Sequence, residues 1–109
     1  MADQQLRDIY AVIERYAVPL LGRERTSSEG LSKEENRILA LQNVNRLNQR
    51  IGFLAREKVT NSRDMRILQT YVNSLTIGLK SDNTAQMKAA LSNIRNFLFE
   101  FDSEEQDTH

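Results

Sequence analysis

The segment "SKEENRILALQNVNRLNQRIGFLAREK", residues 32–58, decides the fold of this 109-residue chain. It contains no proline, and its apolar residues recur at steps of three and four, the spacing that places side chains on one side of an α-helix. A helix of this length extends ~40 Å at a rise of about 1.5 Å per residue. We therefore expect it to be the longest helix of the protein and the central helix of a bundle.

A capping box marks the start of this helix. Ser32 and Glu35 have the spacing in which the serine hydroxyl accepts a hydrogen bond from the Glu35 backbone N–H, while the Glu35 carboxylate accepts one from the Ser32 N–H. The preceding stretch, "GRERTSSEGL" (22–31), includes two glycines and shows no apolar periodicity, which predicts a mobile loop. The chain thus passes abruptly from loop to helix at Ser32.

The same apolar spacing predicts three further helices. The first ends near residues 18–21, because Pro19 lacks a backbone N–H and its ring clashes with the preceding turn. The third begins at residues 60–62, which are polar and can cap it, and it ends at "KSDN". The fourth spans residues 84–101. No segment sustains the alternation of apolar and polar residues that is typical of a strand.

We predict an all-α protein, a small antiparallel four-helix bundle, because short connections place consecutive helices side by side in opposite directions. Residues 1–101 form a single domain, the expected number for this length. The last residues, "DSEEQDTH" (102–109), are acidic and lack periodicity, so we expect them to be a disordered acidic tail.

Composition limits the location and the partners of the protein. The 15 basic and 15 acidic residues cancel, so no overall field draws the chain to nucleic acid or to an anionic membrane. Cysteine is absent, which fits a reducing compartment. The start, "MADQQLRDIY", lacks the basic and apolar regions of a signal peptide, and no apolar run approaches the roughly 18 residues that span a bilayer. We expect a cytoplasmic protein that does not enter the membrane.

The residue types needed for enzymatic chemistry do not occur in a usable pattern. The single histidine, His109, is the last residue of the predicted tail, so it is not positioned to act as a base. The four glycines are too far apart for a phosphate-binding loop, and no helix contains the Glu-x-x-His pair of a di-iron bundle. We predict a non-enzymatic protein with no catalytic, cofactor-binding or metal-binding residues.

The polar stretch "NVNRLNQR" (43–50) divides between two faces of the long helix. At about 100° per residue, Val44 and Leu47 point toward the core, while Arg46 and Arg50 lie on the opposite side. Asn48 falls at the border of the core face, where we expect partners that include water.

The outer side of the long helix also carries apolar residues. Leu39 and Phe53 share the sector of Arg46 and Arg50, so the helix has a second apolar stripe. Either the first helix covers this stripe, or the stripe is a partner surface or dimer seam, where aromatic and arginine residues are enriched. The sequence leaves both alternatives open.

We predict that the protein acts by binding another protein, as a small adaptor, regulator or inhibitor. The stripe and one exposed aromatic residue of the fourth helix supply the candidate partner-binding residues: Leu39, Arg46, Arg50, Phe53 and Phe99. We also expect a symmetric homodimer built on this stripe, because a small bundle with a two-sided apolar helix gains buried surface by association.

Nucleic-acid binding is the alternative function. A 21-residue segment contains six basic residues and only two acidic ones. The basic residues are Arg46, Arg50, Arg56, Lys58, Arg63 and Arg66. Arginine and asparagine on a helix can contact base edges in the major groove. However, the turn after the long helix lacks the glycine of a helix-turn-helix motif, and the acidic tail has the charge to neutralise the segment.

Overall fold

The computed structural model describes residues 4–21, 30–57 and 62–107, with the side chains of these ranges except those of residues 62 and 100–107. Within these ranges all regular structure is helical. Four α-helices pack against one another: α1 (Gln4–Ala17), α2 (Lys33–Arg56), α3 (Ser62–Ser81) and α4 (Thr84–Asp107). The predicted all-α four-helix bundle is confirmed. In the described part of the chain, no helix has both the length and the apolar character needed to cross a membrane.

The first helix ends where proline was expected to end it. After Ala17 the chain forms a 3₁₀ helix, Val18–Leu20, whose first turn contains Pro19. Proline fits there because the first turn of a helix leaves its backbone N–H groups unpaired in any case. Residues 22–29, which make up most of the predicted mobile loop, lie outside the described ranges.

The predicted capping box begins α2. The Ser32 hydroxyl accepts a hydrogen bond from the Glu35 N–H at 3.1 Å, and the Glu35 carboxylate accepts one from the Ser32 N–H at 2.8 Å. The bond from the Ser32 backbone lowers the pKa of the Glu35 carboxyl, and the bond with the Ser32 side chain adds to this. α2 contains 24 residues, and α4 is equally long.

The turn between α3 and α4 forms at "KSDN", as predicted. Asp82 has a positive φ of 56°, and the Asn83 N–H donates to the Gly78 carbonyl oxygen at 2.9 Å. The Asn83 side chain then caps α4 by accepting a hydrogen bond from the Gln86 N–H at 3.0 Å. A reversal of the chain this tight makes α3 and α4 antiparallel neighbours.

Side-chain contacts show that α2 and α3 are also antiparallel. Asp82, just after the end of α3, forms ion pairs with Lys33 at 3.0 Å and with Arg37 at 3.5 Å, both in the first turns of α2. Nearer the middle of both helices, the Gln69 amide donates a hydrogen bond to Asn48. The beginning of α2 therefore meets the end of α3.

All four helices contribute to the buried core. Where α3 approaches α4, Gly78 leaves no room for a side chain, because a Cβ there would lie 3.0 Å from both Met87 Cγ and the Met87 backbone nitrogen. The buried apolar residues of the helices are Leu6, Ile9, Tyr10, Ile13 and Ala17 of α1; Ala40, Val44, Leu47, Ile51 and Leu54 of α2; Met65, Leu68, Val72, Leu75 and Leu79 of α3; and Met87, Ala90, Leu91, Ile94 and Leu98 of α4.

The fourth helix is longer than predicted. We expected it to end at Phe101 and residues 102–109 to be disordered, whereas helical backbone continues to Asp107. No glycine or proline follows Gly78, and glutamate and glutamine are good helix formers, so the local sequence contains no stop signal. Residues 108 and 109 lie outside the described ranges.

Candidate functional site

A groove opens to solvent between α2 and α3, near the end of α2. Its volume is about 260 Å³, well above the ~10–15 Å³ that a cavity needs on this measure to hold one water molecule. Its surface is mostly apolar. The lining residues are Ile51, Gly52 and Ala55 of α2 and Met65, Arg66 and Gln69 of α3.

Gly52 is a helix-interior glycine that the packing of the described residues does not require. No heavy atom lies within 4 Å of the position that its Cβ would occupy. This contrasts with Gly78, where α4 fills the corresponding space. Glycine in the middle of a helix is less favourable than alanine by roughly 0.5–1 kcal/mol. Glycine at this position therefore makes α2 less stable than alanine would, and the absence of a side chain widens the groove.

A chain of side-chain amides fixes one wall of the groove. The Gln69 amide nitrogen donates to the Asn48 side-chain oxygen across the two helices and to the Asn73 side-chain oxygen at 3.1 Å. Asn48 is half-buried, so it lies at the border of the core as expected, and a glutamine of α3 is one of its partners. These bonds set the register of α2 against α3 beside the groove.

Exposed and half-buried residues at helical spacing continue the groove along both helices into a surface that we call the α2–α3 face. Ile38 and Ile77 are its most exposed large apolar residues, at 47% and 56%. The flanking residues are Ile38, Leu41, Asn45, Asn48 and Arg56 of α2 and Arg63, Arg66, Thr70, Asn73 and Ile77 of α3.

The groove end of this face is positively charged. Arg56, Arg63 and Arg66 are exposed there, and we call them the basic rim. Beyond its first turn α2 contains no acidic residue. In α3 the only acidic residue, Asp64, points about 140° away from Gln69 at ~100° per residue, so it does not face the groove. The exposed carboxylate of Glu57, the C-cap residue of α2, directly follows Arg56, so three arginines and one glutamate lie at this end of the face.

Four of the five predicted partner-binding residues stay together on the other outer side of α2. Leu39 is half-buried, while Phe53 remains 37% exposed, with the Arg50 guanidinium 5.1 Å from the centre of its ring. Arg46 is exposed and donates to the Asn43 side-chain oxygen at 3.3 Å. The second apolar stripe is thus partly covered, and its exposed part is a stacked arginine–phenylalanine pair.

Phe99, the fifth, lies on α4 in a different cluster. Its ring is 39% exposed and lies beneath two guanidinium groups, with Arg7 at 5.3 Å and Arg95 at 5.5 Å from its centre. The Tyr10 ring lies at 6.4 Å in a tilted arrangement. Phe99 therefore joins α1 to α4 as well as facing solvent.

Hydrogen bonds around Tyr10 strengthen this α1–α4 link. The buried hydroxyl lies 2.9 Å from the Glu14 carboxylate and 2.8 Å from the Leu91 carbonyl oxygen, and its one proton is donated to either acceptor. Glu14 also accepts two hydrogen bonds from Arg95, at 2.8 Å and 3.0 Å. Burial, with the Glu14 contact, raises the pKa of the Tyr10 hydroxyl far above its ordinary range, and the Glu14 hydrogen bonds raise the pKa of Arg95.

The six basic residues proposed for nucleic acid are spread around α2 and along the start of α3. Arg46 and Arg50 lie on the Phe53 side of α2, whereas Arg56 points about 120° away from Arg50 around the helix, toward the α2–α3 face. Arg63 and Arg66 belong to that face as well, and Lys58 lies outside the described residues.

The chain matches no known protein family, no curated protein and no solved structure. The groove and its rim are therefore interpreted from their own chemistry.

Sequence reasoning missed Gly52 and the α3 wall of the groove. The available signal was a lone glycine inside a long helix, which indicates either a weak point or a close approach of another group. It also missed Asn36 and Asn43, both buried polar residues of α2. The Asn43 amide donates to the Leu39 carbonyl oxygen at 2.8 Å, whereas the Asn36 side-chain oxygen has no hydrogen-bond partner among the described residues.

Proposed function

We propose that this chain is a non-enzymatic protein–protein interaction module, an adaptor, regulator or inhibitor, and that the α2–α3 face is its partner-binding surface. The observation that carries the proposal is Gly52, a helix-interior glycine beside an open groove with no neighbour where its side chain would be. A residue that destabilises its own helix without serving the packing around it is accounted for by a group that approaches from outside.

The chemistry of the groove suits a protein partner. Ile51, Ala55 and Met65 offer an apolar surface for one bulky side chain, and methionine adapts its shape to different occupants. Arginine at the rim is among the residue types enriched in interfaces. An apolar centre with a polar, positively charged border is the arrangement that protein interfaces favour.

The test uses two leucine variants of the full chain. Gly52→Leu fills the groove, while Asn93→Leu adds the same side chain to an exposed position of α4. We expect proteins from the native host that bind the wild type and Asn93→Leu to be lost from Gly52→Leu, with helical content unchanged by circular dichroism. Binding that survives Gly52→Leu but is abolished by Phe53→Asp would move the interface to the Phe53 side of α2 and overturn the assignment.

We further propose that the protein works in the cytoplasm and self-associates as a homodimer. The absence of cysteine supports a reducing compartment. The proposed site of self-association is the second apolar stripe of α2. It consists of Leu39, Arg46, Arg50 and Phe53, with the stacked Phe53–Arg50 pair at its centre.

Nucleic-acid binding is the alternative, and the basic rim is the observation that favours it. Phosphate contacts release counterions, so binding to generic DNA or RNA through the rim would weaken steeply with salt concentration. A salt titration of such binding separates the two functions, because an apolar groove contributes a salt-independent part.

A further inference from the structure

We propose that the partner segment bound by the α2–α3 face is an amphipathic α-helix, which places one bulky apolar side chain in the groove and a carboxylate on Arg66. This inference rests on the proposed function of the face and names the class of segment that the face binds. The surface of the groove, its charge and the exposed apolar residues at the far end of the face support it.

The groove favours a helix over an extended segment, because its surface offers few groups that pair with a backbone. It is mostly apolar, and Gln69 already donates both of its side-chain N–H groups, to Asn48 and to Asn73. The described residues contain no strand, so they present no sheet edge to which an extended segment can be added. A helix pairs its own backbone N–H and C=O groups, so it covers an apolar groove without leaving them unsatisfied.

The charge within the groove comes from Arg66, the one charged residue among the described residues that line it. Arg56 and Glu57 lie outside the lining and carry opposite charges. A bound segment therefore meets a positive charge beside an apolar surface. A guanidinium group binds a carboxylate through two parallel hydrogen bonds, and electrostatic complementarity of this kind selects one partner over another. We therefore expect the partner to place an aspartate or glutamate next to its apolar side chain.

The far end of the face offers a second apolar contact. Ile38 and Ile77 are exposed at 47% and 56%, and they lie at the same end of the two helices because Arg37, next to Ile38, pairs with Asp82. The distance from Ile38 to Gly52 along α2 is ~21 Å at about 1.5 Å per residue. A partner helix of about four turns spans it, with apolar residues on one side at both ends.

A peptide selection tests the inference without imposing a partner sequence. The probe is a displayed library of helix-forming peptides of roughly four to five turns, randomised along one side, and the target is the full chain. We expect the enriched peptides to carry a large apolar residue with an aspartate or glutamate three or four positions away, the spacing that places both on one side of a helix. Circular dichroism should show that these peptides become more helical when they bind.

Variants of the chain locate the bound peptide. Arg66→Glu repels the carboxylate and Gly52→Leu fills the groove, so we expect each to raise the dissociation constant at least ~10-fold. Gly52→Ala, whose methyl group meets no neighbour, should raise it less. Arg46→Glu makes the same reversal on the other side of α2 and should bind like the wild type. A peptide with lysine in place of its acidic residue should bind Arg66→Glu more tightly than it binds the wild type.

Several outcomes would overturn the acidic helix. These are a library that yields no binder, enriched peptides without an acidic residue, and a lysine peptide that gains nothing on Arg66→Glu. Peptides that bind Gly52→Leu but not Phe53→Asp lie on the other side of α2. Duplex DNA that binds the wild type and not Arg66→Glu, when no peptide binds, assigns the rim to nucleic acid.

Host proteins separate this inference from the proposed function. Those that Gly52→Leu loses and Arg66→Glu retains would overturn the pairing with Arg66 and leave the α2–α3 face as the partner-binding surface. Host proteins that both variants retain would contradict the proposed function itself.

Discussion

Glycine occurs at two interior helical positions of this protein, and its neighbours give it opposite roles. At Gly78 a Cβ would lie 3.0 Å from Met87, so glycine allows α3 and α4 to approach closely. At Gly52 the same space is empty and opens into the groove. Identical residues on similar helices therefore serve packing in one case and, by our proposal, recognition in the other.

Alanine at these two positions should change stability in opposite directions. We expect Gly52→Ala to raise the free energy of unfolding by about 0.5–1 kcal/mol, because it improves helix propensity without a clash. Gly78→Ala should lower it by roughly 1–3 kcal/mol, since the methyl group presses on Met87. Urea denaturation of both variants measures the difference. A destabilised Gly52→Ala would show that the space at Gly52 is needed within the chain.

Asp82 and Glu35 predict how stability depends on pH. Hydrogen bonding to Lys33 lowers the pKa of the Asp82 carboxyl, and hydrogen bonding to Ser32 lowers that of Glu35. A lowered folded-state pKa means that the contribution is complete above the ordinary carboxyl pKa of ~4 and is lost as the pH falls through the folded-state value. Asp82→Asn keeps a residue that tolerates positive φ and removes the charge.

The urea midpoint of Asp82→Asn should therefore lie below that of the wild type at pH 6 and approach it at pH 3. Glu35→Gln is the parallel test, because it keeps an oxygen acceptor for the Ser32 N–H and removes the charge. A constant difference between wild type and Asp82→Asn across this range would contradict the assigned ion pairs.

At the scale of helices, the contact between α1 and α4 depends on a few polar and aromatic side chains. Tyr10, Glu14 and Arg95 form one hydrogen-bonded group, and Phe99 packs beneath Arg7 and Arg95. The sequence placed Phe99 among the partner-binding residues because it lies opposite the core face of its helix. Its contacts in the fold show that it also connects two helices, which exposure alone does not reveal.

Phe99→Ala and Phe53→Ala form a matched pair. Phe99 has ring contacts with Arg7 and Tyr10 across helices, so we expect its loss to destabilise the protein by about 1–2 kcal/mol. Phe53 stacks with Arg50 of its own helix, and its replacement should matter less, by under ~1 kcal/mol. Thermal denaturation compares the two variants. A larger loss for Phe53→Ala would place that ring in the core instead.

At the scale of the whole molecule, the net charge is zero, but basic and acidic residues are concentrated in different parts of the chain. The basic rim lies at the groove, while the last residues of the chain are acidic. Deletion of residues 102–109 should therefore raise retention on heparin at low salt, because the basic surface is no longer neutralised, and high salt should remove the difference. Retention that does not change after the deletion would show that the acidic segment and the basic residues act independently.

Local sequence was sufficient for the helices and for most of their ends. The Ser32–Glu35 capping box, the end of α1 at Pro19 and the turn at Asp82 all depend on residues within five positions of one another, so short-range rules determined them. The end of α4 was placed too early, because an acidic stretch without apolar periodicity does not by itself stop a helix. The division of the stretch at residues 43–50 into core and surface was also readable from helical periodicity.

Only the tertiary structure decided which outer faces remain open. Gly52 lines the groove together with Met65 and Gln69, which belong to another helix. The sequence around Gly52 does not indicate whether the position faces open space, as it does, or a neighbouring helix, as Gly78 does. Local hydrogen bonding determines where a helix begins and ends, whereas the relative placement of distant segments determines what its surface can bind.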